Sequence, residues 1–521
     1  MKKVLLALLA LVMIVSCFAA CGDGGNEKST PKASTPNKPD GGGQVEDVPE
    51  EEKLNLDIDS IDYAGETVRI VHSRCDFTEY GMEEDQINND AINDAIYKRN
   101  LYIEQDLGIT LEFNEEPYSY DKIGTFITRL QAWNSDPNTQ IDLISAFTRM
   151  MPYIMIEGFL TDLNVYTDSL DFDKAWWSEE GTTLHEMKGN LYFVTGDISP
   201  NVLRSMTVLF VNKKILESRG HDYVALMEKV LAYEWTIDDL ILMCEDMWTE
   251  GEGGTAGPSA DDTFGLVTAW KHFDALYVGC GFKYMTGSNK DDEVIKLAAD
   301  LFSEGVANWM SKIGEWHKTY DFYCGQVGSG LYETNFPDGL SLFSLNRCYH
   351  GFELQNTDID YAIVPTPMLD KSQGRYYTTI GYGYTSYGIC SSALDYDRSA
   401  QTIQILGYYG YKLTTPAVFE VSFKGKFSKD DYTIKMFDIV RDSISYDLGR
   451  IYDVIVGGSG NRDDWKYYPD YLISFCISGG TESWTPDRVW TTEFSIGKQS
   501  LMRQHVADAN AKILSYIDAN K

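Results

Sequence analysis

The chain has 521 residues, 43% of them hydrophobic, with 44 Lys and Arg against 79 Asp and Glu and a formal net charge of −35. So acidic a protein repels phosphate backbones and anionic headgroups, which excludes nucleic acid as an expected partner and a lipid surface as an electrostatic one. The hydrophobic share is ordinary for a globular body, and the length allows two or three domains.

A short cationic start, "MKK", precedes the apolar run "VLLALLALVMIV" (4–15). That run has the length of a signal-peptide core and is too short to span a bilayer. Ala19 and Ala20 then lead into Cys21. Small-small-Cys after an apolar core resembles the bacterial lipobox, in which the cysteine thiol carries diacylglycerol. "IVSC", ending at Cys17, fits that pattern too, and Phe18 is an unusual residue three before Cys21. Cys21 is preferred because a polar tail begins directly after it. Residues 22–53 are rich in Gly, Pro, Ser, Thr and charge, and bury too little apolar surface to offset the entropy of ordering. The expected plan is a lipoprotein signal peptide over 1–20, a disordered tether over 21–55, and a globular body held at the outer face of a Gram-positive cell membrane by its lipid alone.

The body opens with a clear α/β pattern. "TVRIVH" (67–72) alternates as a strand, and "AINDAIYKRNLYIEQDL" then sets Ile92, Ile96, Ile103 and Leu107 on one helical face. Asn89 or Asp90 is placed to cap that helix, and Gly108 to end it. "ITLEF" (109–113) is a second strand, Ile123, Phe126, Ile127 and Leu130 mark a second helix, and "IDLISA" (141–146) is a third strand. Strand-helix-strand with short connections predicts right-handed crossovers and a parallel sheet, with ligands bound beyond the carboxyl ends of the strands. Those ends feed "SRCDFTEYG" (73–81) and "FTRMMPY" (147–153).

The middle of the chain carries a resemblance. "KGNLYFVTGDISPNVLRSMTVLFVNKKILESRGHD" (188–222), "EWTIDDLILMCEDMW" (234–248) with Thr236 as its cap, "FGLVTAW" (264–270), "GLSLFSLNRCYHGFELQNTDIDYAIVPTPM" (339–368) and "TIGYGYTSYGICSSALDYDRSAQTIQILGYYGY" (379–411) follow one another in the order seen in extracellular solute-binding proteins of family 1. That family serves ABC sugar importers, and "AINDAIYKRNLYIEQDLGI" is similar to a clostridial branch of it. The resemblance covers roughly residues 66–415; no single motif is strong, and the last hundred residues match weakly. It implies a type II periplasmic-binding-protein-like fold, two α/β lobes each built on a mostly parallel sheet flanked by helices, with a hinge between them. The first lobe would be 56–207 plus 378–420, the second 208–377 plus 421–521.

The resemblance further implies a monomer that closes over a carbohydrate, with ABC permease subunits as partners and no cofactor. Aromatic residues, 13% of the chain with 34 Tyr and 11 Trp, suit a sugar, whose flat C–H face stacks on rings while its hydroxyls meet polar rims. Candidates in inter-lobe loops are Tyr80, Phe147, Arg149, Trp176, Trp177, Trp270, Tyr382 and Tyr384, with Asp76 and Asp197 as hydroxyl acceptors. Each has a plainer reading: one of the adjacent tryptophans faces the core, Trp270 ends a strand, and Tyr382 and Tyr384 form one strand face.

Catalytic patterns are missing. "GGSGN" (457–461) lacks the nucleophile-elbow spacing, "HEMKG" (185–189) lacks the second histidine of a zincin, and "GEGGTAGP" (251–258) lacks the Lys-Ser/Thr of a phosphate loop. In "GYGYTSYG" (381–388), Ser386 stands where a dinucleotide loop needs glycine. The seven cysteines after Cys21 form no C-x-x-C pair and no disulfide framework, so no metal site is expected. Paired carboxylates at glycosidase spacing arise by chance in so acidic a chain and carry no signal. The expectation is a binding protein and not an enzyme. The alternatives are a surface glycan-binding or glycan-degrading lipoprotein without transport, and a peptide or other small-solute binder on the same fold.

Overall fold

The computed structural model describes residues 49–75, 77–81, 90–119, 122–136, 138–253, 257–288, 290–325, 330–456 and 496–520. The signal and tether segments with Cys17 and Cys21, the candidate Asp76, and "GGSGN" lie outside the described residues. All described residues belong to one unit, Val48–Lys521.

The first strands form where alternation and caps require them. β1 (Glu66–Ser73) pairs in parallel with β2 (Ile109–Glu116), from Glu66 against Ile109 to Ser73 against Glu116. Between them runs the helix Ala91–Leu107, which buries Ile92, Ile96, Ile103 and Leu107. Its N-cap is Asp90, whose carboxylate accepts from the Ile92 and Asn93 amides; Gly108 ends it in the left-handed region at φ 62°. The helix Ile123–Ser135 buries Ile123, Phe126, Ile127 and Leu130, and leads to β3 (Leu143–Phe147), parallel to β1.

The second layer begins with β4 (Thr207–Asn212), and Asn212 caps the helix Lys213–Ser218 that follows. Thr236 and Asp239 form a reciprocal capping box at the start of the helix Ile237–Cys244. Next come β5 (Phe264–Ala269), the helix Trp270–Gly279, a small antiparallel pair β6 (Met285–Gly287) and β7 (Ile295–Leu297), β8 (Phe322–Gly325), β9 (Ser341–Arg347) and β10 (Tyr361–Val364). Trp270 therefore opens a helix where the sequence suggested the end of a strand. The chain then passes through β11 (Thr378–Thr379) to β12 (Thr385–Ile389), and later through β13 (Ile444–Ser445), which pairs in parallel with β11.

Two mixed sheets result, in the orders β12-β3-β1-β2 and β10-β4-β9-β5-β8. The expected mostly parallel character holds only for β2-β1-β3 and β9-β5-β8. β12 runs against β3, and β4 runs against both β9 and β10. The reason is connectivity. β4 and β12 each enter a sheet directly after the chain has left the other one, so no helical crossover sets their direction.

Three segments link the sheets. One leaves Val194, bridged to Tyr387 of β12, and reaches β4 past Met206, bridged to Ile380. The second returns from β10 through β11 to β12, and the third is the β13 segment. A late helix, Ile496–Ala519, touches the surroundings of both sheets. Its Asn510 accepts from the amides of Val294 (2.7 Å) and Ile295 (3.0 Å), while Tyr516 donates to the Leu160 carbonyl.

Gly108 offers a test of the local reading. An added Cβ there combines a positive φ with a collision against the Asp62 carboxylate. Gly108→Ala is expected to lower unfolding stability by about 1–2 kcal/mol, read by urea denaturation. An unchanged midpoint contradicts the αL cap.

Candidate functional site

At the carboxyl ends of β1 and β3 the backbone is braced from inside. The Phe147 amide donates to Ser73 Oγ at 3.3 Å, and Thr148–Met150 then forms a single tight turn. Tyr80 is buried: its ring stacks on His72 with centroids 3.7 Å apart, and its hydroxyl sits 2.9 Å from Ser145 Oγ. Beside it, fully buried Glu79 accepts from the Ser199, Thr385 and Tyr387 hydroxyls and the Asn201 amide. Burial pushes the Glu79 carboxyl up, and the Thr385, Tyr387 and Ser199 hydroxyls and the Arg99 charge pull it back. This network pins residues 77–81 to β12 and to the turn before β4.

Beyond that floor is a narrow pocket of about 310 Å³, counted out to open solvent. Arg149, Tyr382, Tyr384, Tyr446, Asp447 and Arg450 line it, with Ile380 and Ser445. Tyr382 is the centre. The guanidinium carbons of Arg149 and Arg450 lie 4.4 Å and 4.3 Å from its ring centroid. Arg149 is ion-paired with Asp453, and both side chains are under a tenth exposed. Arg450 is ion-paired at 2.8 Å with Asp274, which lies on the helix after β5, and donates at 2.6 Å to the Ile380 carbonyl. The pocket thus joins the end of β3, the β11–β12 link and the β13 segment, and Arg450 alone ties it to a helix of the second sheet.

Asp447 is turned to structure. It accepts from the Tyr284 amide at 2.7 Å and the Gly449 amide at 2.7 Å; burial pushes its carboxyl up to about 6 despite these bonds. Tyr384 and Tyr446 meet edge-on at 6.1 Å. The Ser445 hydroxyl is buried with no hydrogen-bond partner among the described residues.

Of the residues singled out from sequence, Arg149, Tyr382 and Tyr384 come together here. Phe147 and Tyr80 are buried as braces below. Trp176 and Trp177 are both buried, at 1% and 6% exposure, against the helix Tyr396–Tyr409: Trp176 meets Tyr408 edge-on and Trp177 Nε1 donates to Gln404 at 3.2 Å. Sequence reasoning gave one of the pair to the core; both are there. Asp197 accepts from Thr415 Oγ1 at 2.6 Å, and burial raises its carboxyl to about 6. The Trp270 side chain and Asp76 lie outside what the structure describes. Sequence reasoning missed Tyr446, Asp447, Arg450 and Asp453. Their signal was the dense alternation of rings and charges in "SYDLGRIYD" (445–453).

Among the described residues no three His, Cys, Asp or Glu side chains are grouped to hold a metal ion, and no helix is long and apolar enough to cross a membrane. The Cys244, Cys280, Cys324, Cys348 and Cys390 thiols are buried, and burial pushes Cys280 up to about 12.

No family model and no curated protein matches the chain. Solved structures do. The sugar-binding protein MalE from Xanthomonas citri is similar at a TM-score of 0.55 and 12% identity, over 87% of this chain and 100% of that one. A cyclo/maltodextrin-binding protein solved with maltotetraose gives a TM-score of 0.53 at 12% identity, covering 84% and 97%. The galacto-N-biose-/lacto-N-biose I-binding protein of an ABC transporter from Bifidobacterium longum gives 0.51 at 10% identity, covering 88% and 98%. At such identities the likeness shows the fold: this chain has the two-lobe architecture of periplasmic sugar-binding proteins.

Two measurements probe the site. Arg149→Met removes the cation paired with buried Asp453, and is expected to cost about 3–5 kcal/mol in chemical denaturation, part of it recovered when Asp453→Asn is added. A loss below about 1 kcal/mol contradicts the pair as a buried one. Asp197 titrates near 6 when folded against an ordinary 3.8, so its favourable term is complete below about 4 and is lost as pH rises through 6. Asp197→Asn is therefore expected to gain on the parent between pH 4 and 7, by on the order of 2 kcal/mol. A stability difference that stays flat over that range contradicts the raised carboxyl.

Proposed function

We propose that this chain is a lipid-anchored extracellular solute-binding protein of an ABC importer. It captures a carbohydrate, an oligosaccharide in this reading, between its two lobes and hands it unaltered to the permease. The observation that carries the reading is the pocket itself. Its walls come from the end of β3, the link into β12 and the β13 segment, with Arg450 tied through Asp274 to a helix of the second sheet, so a ligand held there touches the links that a hinge motion bends. Tyr382, held against the Arg149 and Arg450 guanidiniums, offers a sugar an aromatic edge beside fixed donors for its hydroxyls; the Ser445 hydroxyl adds a further polar contact. The fold is that of proteins whose solved complexes contain maltotetraose or lacto-N-biose. Cys21, or Cys17, carries the lipid in this reading, 56–207 with 378–420 form one lobe, and the protein works as a monomer at the outer membrane face.

The narrowness of the pocket requires the lobes to part before an oligosaccharide enters, so ligand should favour a more closed shape. Thermal denaturation against panels of oligosaccharides and of peptides tests this. A sugar at a hundred times its dissociation constant is expected to stabilise by about 2.7 kcal/mol. Tyr382→Ala should weaken that sugar by about tenfold or more. If only peptides raise the melting temperature, or if the sugar is recovered cleaved, the reading fails.

A further inference from the structure

The charges lining the pocket are already answered by the protein. Arg149 is paired with Asp453, and Arg450 with Asp274. The Asp447 oxygens take the amides of Tyr284 and Gly449, each at 2.7 Å, and of Met285 at 3.3 Å. Tyr382 is held against both guanidiniums, and Tyr384 and Tyr446 meet edge-on with Thr148 and Ser178 bonded to their hydroxyls. An ionic ligand would bring a charge into this pocket for which no counter-charge is set aside, and burying it there is costly. A neutral ligand avoids that cost.

Ser445 differs from these groups. It ends β13, lines the pocket and is 4% exposed, yet its Oγ has no hydrogen-bond partner among the described residues. In the parallel ladder it stands opposite Thr379 of β11, whose Oγ1 is also buried without a partner among them. Just before this point the same chain segments are satisfied. The Thr378 and Ser443 hydroxyls lie 2.8 Å apart, and the Thr378 amide donates to the Ser443 carbonyl at 2.7 Å. The pairing of β11 with β13 therefore holds one hydroxyl pair that is closed on itself and one that is not, and Ser445 brings the latter to the pocket wall. A buried hydroxyl that has lost water without gaining a bond costs stability. A sugar hydroxyl is donor and acceptor at once and removes that cost. An analogue lacking it would leave the serine unpaired again, which is how a site rejects a near-identical ligand.

We propose that the ligand is a neutral saccharide and that Ser445 determines which one, by pairing its hydroxyl with one hydroxyl of the sugar held beside Tyr382. This rests on the saccharide reading above and narrows it. Thr379 does not line the pocket, so its hydroxyl provides the comparison: the same burial and the same ladder, without the ligand.

Ser445→Ala is expected to act with opposite signs on the free and bound protein. Without ligand it removes an unpaired buried hydroxyl, so the thermal midpoint should not fall. In isothermal titration with maltotetraose and with lacto-N-biose, the tighter of the two should bind the variant about tenfold more weakly than the parent. One monodeoxy derivative of that sugar should bind the parent at least about tenfold more weakly than the intact sugar, and the variant within about twofold of it. Thr379→Val should leave the affinity within about twofold, and trigalacturonate should bind the parent more weakly than the neutral sugar. A midpoint lowered by Ser445→Ala means that the hydroxyl is already satisfied, and overturns the inference. So does an affinity that Ser445→Ala leaves untouched, an equal loss in Thr379→Val, a monodeoxy series with no weak member, or tighter binding of trigalacturonate. Each of these leaves saccharide capture standing; failure of every sugar to bind removes both.

Discussion

The ion pair between Arg149 and Asp453 is what the pocket is built on. Its partners stand 304 residues apart, one at the end of the first sheet's β3 and one in the segment after β13. Neither charge would tolerate burial alone, so the late segment must return to this point for the fold to close. Tyr382 then lies against Arg149 and also against Arg450, which Asp274 ties to a helix of the second sheet. Ring and charges form one continuous chain from sheet to sheet. Whatever moves the sheets relative to each other must act on these contacts first.

Sequence pattern reached the local structure well because local structure answers to local causes. Ile92, Ile96, Ile103 and Leu107 fall on one buried face as their spacing demands, and Gly108 and Thr236 end and begin helices as their chemistry demands. The site was harder. Arg149, Tyr382 and Tyr384 were legible because carboxyl-edge loops of α/β sheets gather ligands, a rule that needs only strand order. Trp176 and Trp177 were not separable: two adjacent tryptophans suggest one facing in and one out, but neighbouring Gly407 lets the Trp176 ring approach the helix Tyr396–Tyr409 while Trp177 uses its indole nitrogen on Gln404. Arg450 and Asp453 find their partners far away in sequence, so the rings and charges of 445–453 could mark the segment but not the pairing.

The direction of β4 and β12 carries a related lesson. A parallel sheet is made by returning over its face, and both strands arrive from elsewhere. The two antiparallel intrusions mark where the chain changes sheets. Around them gather the short pairings of β11 with β13 and of Met206 with Ile380, a thin waist with few ladder bonds. The same waist holds Ser205, Gly381 and Arg347, packed against one another.

The helix Ile496–Ala519 has a bearing on how the molecule is assembled. Asn510 grips β7 and Tyr516 grips the Leu160 carbonyl, yet both are translated after every strand of either sheet. The clasp is thus made only after the strands it joins have all been synthesised.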